Sequence, residues 1–314
     1  MILFQIIAYG SYSILVHLCE VNGMISFSST TMNFILEIVK LIFSITALIS
    51  SSQSLIHPTI GQFLVGFRQS LPYSIPAILY FINNNLAVHM QLQMDPASYQ
   101  ILANFKIFTT AVLYRLIMKQ KLSRKKWFAL SLLFLGGIAY SLGTLKNSSF
   151  VSKKITSTSI IMPEMYIHPW GMPMIAIYCT ISGLAGVYNE WILKKHYTES
   201  LHLQNLYLYS YGTLLNFAPA MTSAMFIRKG QSSWNLFRGF TLYTWLIVLT
   251  QALNGLFMSV VIKHSSNIIR LFVISFSLIV TAILSWLVFH IHFNLYFFLS
   301  FVTMISALSI YYSE

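Results

Sequence analysis

Lys106 stands in the run YQILANFKIFTTAVLYRLI, with about eleven residues of apolar-rich sequence on either side. In a helix rising ~1.5 Å per residue, that places its ammonium roughly 16 Å from each end. Such a position is near the midplane of a ~30 Å hydrocarbon layer. A charge there costs roughly 2.5–3.5 kcal/mol on insertion scales, so it faces a cavity or a partner. Tyr99, Ala103, Lys106 and Thr110 recur at spacings of four, three and four, which is one helix face. An aromatic, a small, a cationic and a hydroxylic side chain in one stripe would suit an anion bearing a flat ring. Pairing with a buried acid is the alternative use of the lysine, but the chain holds only 7 acidic residues.

Arg270 has a similar setting, just inside SSNIIRLFVISFSLIVTAIL, sharing a face with Ser266, Val273, Ser277 and Thr281. Further polar stripes run through other apolar segments. Tyr80 and Asn84 lie beside a run of three asparagines at 83–85. Asn205, Tyr209, Thr213 and Asn216 align, as do Gln251, Asn254, Gly255 and Ser259. Ser182, Gly183 and Gly186 form a small face that reads mainly as tight helix packing. Each amide or phenol alone could be interhelical glue worth ~0.6 kcal/mol; so many together point to a polar cavity.

Other candidates carry less. Glu37 and Lys40 are three apart and read as a structural ion pair, with ligand contact as the alternative. Glu190 is placed to meet a cation near a helix end. His290 and His292 share a short loop without cysteines or acids nearby, so no metal site is expected. Cys19 and Cys179 lie far apart in apolar segments and read as small core residues. No nucleophile elbow, HExxH or P-loop is present. Asp95 and six glutamates leave acid–base catalysis few candidates. Proton coupling normally needs intramembrane acids. Only Glu37 and Glu190 qualify, which favours exchange or facilitated transport.

The elements that must position these groups follow from composition. Of 314 residues, 56% are hydrophobic and 8% charged, with a mean hydropathy of +0.70. Soluble domains carry about 25% charged residues. The chain therefore reads as an all-α polytopic membrane protein. Ten spans are expected, near 1–19, 29–50, 70–91, 95–118, 126–145, 170–193, 202–225, 240–262, 267–289 and 294–312. Asp95 and Pro96 suit the cap and first position of the fourth span. The first apolar run lacks a basic flank and reads as helix one rather than a signal peptide.

The net charge of +12 would fit a nucleic-acid binder, but the cations are scattered over loops separated by apolar spans. Topology and an anionic ligand explain them better. With a cytosolic N-terminus, ten basic residues fall in cytosolic loops and flanks: Arg68, Arg115, Lys119, Lys121, Arg124, Lys125, Lys126, Lys194, Lys195 and Lys263. Six fall opposite: Lys146, Lys153, Lys154, Arg228, Lys229 and Arg238. The dense run KQKLSRKK should dominate that bias. The sequon at Asn147 then faces the lumen.

The Ser/Thr/Pro-rich stretch 146–169 divides the chain into residues 1–145 and 170–314, five spans each. An odd number of spans per half inverts the second half, which is the arithmetic of an inverted repeat with a midplane site. Lys106 and Arg270 each fall in the fourth span of a half.

Five stretches carry a resemblance: NNNLAVHMQLQMDPASYQILANFKI, KLSRKKW, SGLAGVYNEWILKK, LQNLYLYSYG and QALNGLFMSVVIKHSSNIIRLF. Together, and over nearly the whole chain, they resemble the Golgi nucleotide-sugar transporters, in the subgroup of the CMP-sialic acid and UDP-galactose transporters. The likeness is nearest to the probable UDP-sugar transporter branch. The resemblance implies ten helices in two inverted five-helix repeats of the drug/metabolite transporter type, a Golgi membrane and cytosolic termini. It further implies antiport of a cytosolic UDP-, CMP- or CDP-linked sugar or alditol against a lumenal nucleoside monophosphate. No cofactor, metal or nucleic acid is implied; membrane lipid is, and homo- or hetero-oligomers with related transporters are compatible with it. By position, Tyr80, Asn84, Tyr99, Lys106, Gly183, Asn205, Tyr209, Ser259 and Arg270 match the family's nucleotide-binding residues. Arg270 departs from the lysine usual in the sugar-transporting relatives, and arginine can fork onto a phosphate where lysine is a point charge. Two other classes stay open: a non-transporting scaffold or regulator that keeps the fold, and a membrane-embedded enzyme using an activated sugar.

Overall fold

The computed structural model describes residues 1–21, 24–25, 27–51, 60–94, 96–155, 168, 170–225, 236–289 and 294–313. Eleven helices are described: α1 (Ile2–Leu18), α2 (Ser29–Ser51), α3 (Ile60–Gln93), α4 (Pro96–Ala103), α5 (Lys106–Ile117), α6 (Arg124–Ile155), α7 (Gly171–Lys195), α8 (Leu201–Met225), α9 (Leu242–His264), α10 (Asn267–Phe289) and α11 (Leu295–Tyr312). A two-residue hairpin, β1 (Glu20–Val21) against β2 (Met24–Ile25), joins α1 to α2. The helical class read from composition is what forms. Lipid offers no partner for backbone amides, so each spanning segment must satisfy its own.

Among the described residues, six helical segments are long and apolar enough to cross a membrane: Ser29–Ser50, Arg124–Thr144, Gly171–Lys195, Leu242–His264, Asn267–Val288 and Leu295–Tyr312. Four expected spans fall outside that set, and three of them carry many polar side chains. They are α3 with Tyr80 and Asn84, α4 and α5 with Tyr99 and Lys106, and α8 with Asn205 and Tyr209. Polar side chains lower the hydropathy of the helices that carry them. The fourth, α1, is apolar but short. Large side chains on α11 are turned outward, with Leu295 81% and Phe298 61% exposed. A soluble protein would bury such a face; a lipid-facing helix would not.

The expected continuous span 95–118 is divided. Helix α4 ends at Ala103 and α5 begins at Lys106. The backbone tightens there into i→i+3 bonds, from Asn104 N to Ile101 O (3.2 Å), Phe105 N to Leu102 O (3.0 Å) and Ile107 N to Asn104 O (3.0 Å). The Asn104 side chain donates to Gln100 O (2.9 Å) and competes with the α-helical ladder. Lys106 is therefore the first residue of a helix, just after a 3₁₀ turn, instead of the middle of a long one. Such turns often mark functional joints. Asp95 and the histidines 290 and 292 lie outside the described residues, as does the side chain of Asn147. Helix α6 continues to Ile155, into the stretch read as a polar linker.

The helices gather into two compact units, each drawing on two separate stretches of the chain. Unit 1 is Met1–Phe81 with Tyr188–Asn267; unit 2 is Ile82–Val187 with Ile268–Glu314. In unit 1, α2 packs on α8 and α9, and α1 on α9. In unit 2, α11 lies along α6, and Ile107, Ala111, Leu130, Leu133, Val187 and Ile268 form the dry centre. Gly136 and Gly143 make the α6–α11 approach possible. A Cβ on Gly136 would stand 2.8 Å from Thr303 Oγ1, and one on Gly143 3.1 Å from Asn294 Oδ1. Small residues at such crossings replace the hydrophobic drive that lipid cannot supply.

Glu190 does meet a cation. It is fully buried, pairs with Lys194 Nζ (2.6 Å) and accepts from the Asn267 backbone N–H (2.7 Å). Lys194 also donates to Ser265 O (2.5 Å). One ion pair on α7 thus ties that helix to the end of α9 and the start of α10. Lys194→Met leaves the carboxylate buried and uncompensated. We expect it to destabilise the folded protein more than Glu190→Gln, by about 3 kcal/mol or more, read as the order of melting temperatures in detergent.

Candidate functional site

In unit 2, the tight turn before α5 aims Lys106 into a hollow of about 160 Å³, lined also by Tyr99, Gln100, Asn104, Tyr178 and Ser275. Tyr99 and Tyr178 face each other with ring centroids 5.9 Å apart, tilted by 50°. Helix α7 is held against α5 by Thr109 Oγ1 donating to Cys179 O (2.8 Å). No ion pair among the described residues engages Lys106. With Ser141 also in the lining, the hollow combines one cation, two phenols, two amides and two hydroxyls. Its volume admits a phosphate-sized group and falls short of the ~300–1,000 Å³ typical of drug-sized ligands.

Gly183 on α7 is buried beside this arrangement. A Cβ there would stand 3.1 Å from Thr110 N and 3.2 Å from Thr110 Cα, both backbone atoms of α5. This geometry agrees with the packing reading of the small face. The glycine lets α7 approach the helix that carries Lys106. Gly183→Ala must push α5 away, so we expect a loss of about 1–3 kcal/mol, seen as a lower melting temperature. An unchanged melting temperature would remove the packing role.

In unit 1, Tyr209 is buried on α8, and its hydroxyl lies 3.2 Å from Ser259 Oγ on α9. Ser259 also donates to Gly255 O (3.2 Å), so the Tyr209 hydroxyl is the donor to Ser259 Oγ and both O–H groups are engaged. Above the Tyr209 ring lies Lys40 Nζ, 4.5 Å from the centroid, in ion contact with Glu37. Two glycines make room for that pair. A Cβ on Gly212 would come 2.8 Å from Glu37 Oε2, and one on Gly255 3.2 Å from Lys40 Cδ. Sequence spacing found the Glu37–Lys40 pair but offered no sign that it meets Tyr209 from another helix. Asn205, also on α8, buries an amide oxygen without a hydrogen-bond partner among the described residues. Buried polar atoms are normally satisfied by protein or by water.

The remaining residues are less gathered. Tyr80 is half-buried on α3 in unit 1, and Asn84, one turn on, is exposed in unit 2. Arg270 lies half-buried in the first turn of α10. Helix α10 turns Leu271, Ile274, Ser275 and Leu278 to the Lys106 hollow, and Arg270 is not among the lining residues. The structure thus brings Lys106 together with Tyr99, and Tyr209 with Ser259. It adds Lys40, Glu37 and Tyr178, which spacing alone had not assigned to a site. Among the described residues, no group of acids, histidines and cysteines could hold a metal ion. Cys19 and Cys179 are buried and unbridged.

Comparison with known proteins adds lineage to this geometry. The family model for nucleotide-sugar transporters matches residues 1–312. The chain is similar to the probable UDP-sugar transporter protein SLC35A4 of Xenopus tropicalis, 39% identical over 99% of this chain and 91% of the relative. It is 37% identical to the protein of that name from Homo sapiens, and 36% to that from Danio rerio, over 100% of this chain and 93% of each. These relatives carry the names of transporters, not of enzymes. A solved crystal structure of a protein superposes with a TM-score of 0.63 over 98% of this chain and 94% of the other. At 10% identity that likeness shows the fold alone.

Proposed function

The chain belongs to the nucleotide-sugar transporter family, and from that membership we propose that it exchanges a pyrimidine nucleotide-linked sugar or alditol for a nucleoside monophosphate across the Golgi membrane. The observation that carries the reading is the Lys106 hollow. It holds a cation without an ion-pair partner among the described residues, set among phenols and amides. Lys106 and Arg270 bind the phosphates, which need compensating charge once they leave water. Tyr99, Tyr209 and the amides of α8 and α9 hold the base and ribose. Lys40 belongs with the Tyr209 group. Its charge above the ring and the Glu37 carboxylate beside it offer a donor and an acceptor to a pyrimidine edge. Gly183 serves by setting the position of α5. Rocking of the two five-helix repeats, 1–145 and 170–314, exposes the ligand alternately to either side. Both termini are then cytosolic and Asn147 lumenal.

Counterflow in proteoliposomes tests this. Purified protein is preloaded with UMP or CMP and offered labelled UDP-sugars, CMP-sialic acid and CDP-linked alditols. Uptake that requires the preloaded nucleotide is the expected result. No uptake of any substrate by folded protein would transfer the weight to a scaffold that keeps the fold without transport.

A further inference from the structure

Helices α6 and α11 meet at one end in a second, larger hollow of about 620 Å³, unrelated to the nucleotide reading. Its walls are Ser123, Arg124, Lys125 and Lys126 at the start of α6 and Tyr311, Tyr312 and Ser313 at the end of α11. The two membrane-crossing segments begin and end at these residues, Arg124–Thr144 and Leu295–Tyr312. The hollow therefore opens at the depth of lipid headgroups. Among the described residues no acidic side chain lines it, and no ion pair among them uses its three cations. Lys126 Nζ stands 5.4 Å from the Tyr311 ring centroid, which holds the ammonium over a rigid wall. Ser123 Oγ caps one of the first N–H groups of α6, accepting from Lys126 N (3.3 Å).

The approach to the hollow is also fixed. Tyr114 Oη donates to Gln120 Oε1 (2.7 Å), and Leu122 packs on the dry centre of unit 2. The intervening Lys119 and Lys121 are exposed. Topological bias requires positive charge near a span end; it does not require a hollow floored by two tyrosines. Basic pockets between spanning helices suit phosphorylated headgroups, each nearby Lys or Arg contributing about 1 kcal/mol of attraction to an anionic surface.

We infer that the Arg124–Lys126/Tyr311–Tyr312 hollow binds the phosphate monoester of an anionic lipid headgroup. The three cations neutralise the phosphate, and the tyrosines stand at the interface, where amphipathic rings are at home. A lipid held there ties the end of α11 to the start of α6.

The test uses the full chain in detergent, with dioctanoyl phosphatidylinositol 4-phosphate as ligand and dioctanoyl phosphatidylcholine and inorganic phosphate as comparisons. Saturable binding of the phosphoinositide is expected, with no binding of the phosphatidylcholine. Arg124→Gln, Lys125→Gln and Lys126→Gln combined should weaken it at least about tenfold. Arg115→Gln, Lys119→Gln and Lys121→Gln combined remove equal charge beside the hollow and should weaken it less than about threefold. Melting temperature without lipid reports folding. If the first triple variant does not fold, Arg124→Gln alone should weaken binding about threefold or more. Equal losses in both triple variants would mean diffuse attraction and overturn the site. So would a wild-type protein that binds no phosphoinositide, an Arg124→Gln variant of unchanged affinity, or inorganic phosphate binding as tightly as the lipid.

Discussion

Lys106→Ala is expected to abolish nucleotide-dependent exchange while the protein still inserts and folds. Truncating one partner of a desolvated charge pair costs about 2–5 kcal/mol. At about 1.4 kcal/mol per tenfold, that is roughly 30-fold to several thousandfold in affinity. Folding should not suffer, because no ion pair among the described residues depends on Lys106. The variant should therefore melt no lower than the wild type and bind little nucleotide. Exchange at the wild-type rate from folded Lys106→Ala protein would make the lysine structural and remove the phosphate assignment.

Lys40→Met carries the second large effect, and it acts on stability and transport together. The Lys40 and Glu37 side chains are 11% and 17% exposed. Removing the lysine leaves a nearly buried carboxylate without its cation, at a cost of about 3–5 kcal/mol. Transport should fall as well, since the charge above Tyr209 is gone. The double variant Glu37→Gln/Lys40→Met separates the two roles. Replacing both charges leaves none uncompensated, so the melting temperature should recover while counterflow stays low. If counterflow recovers along with stability, the pair is structural, as its spacing alone had suggested, and its place in the site is lost.

That contrast marks what could be read from residues alone. The i,i+3 spacing of Glu37 and Lys40 predicts an ion pair, and the structure contains it. Its meeting with Tyr209 depends on α2 packing against α8, an interaction between segments far apart in the chain. No local period encodes such a choice of partner. The glycines behave likewise. Gly212 gave no signal and Gly255 only a place in a polar stripe, yet each clears space for one half of the pair. Tyr178 gave no signal of its own and enters the Lys106 hollow only because α7 lies on α5. The break after Ala103 was also hidden, because Asn104 favours it only by spending its side chain on Gln100 O.

The sequence by itself determined the membrane class, the succession of helices and the family. It also placed the rare charges, because few residues of this chain are charged and each one inside an apolar run is conspicuous. Composition and period act over one or two turns, so they reach that far and stop. The tertiary structure alone decided which stripes meet: Lys106 with Tyr178, Lys40 with Tyr209, and the basic run with the tyrosines that end α11. Those meetings follow from how closely helices can approach, and that closeness is set by the side chain a facing helix lacks.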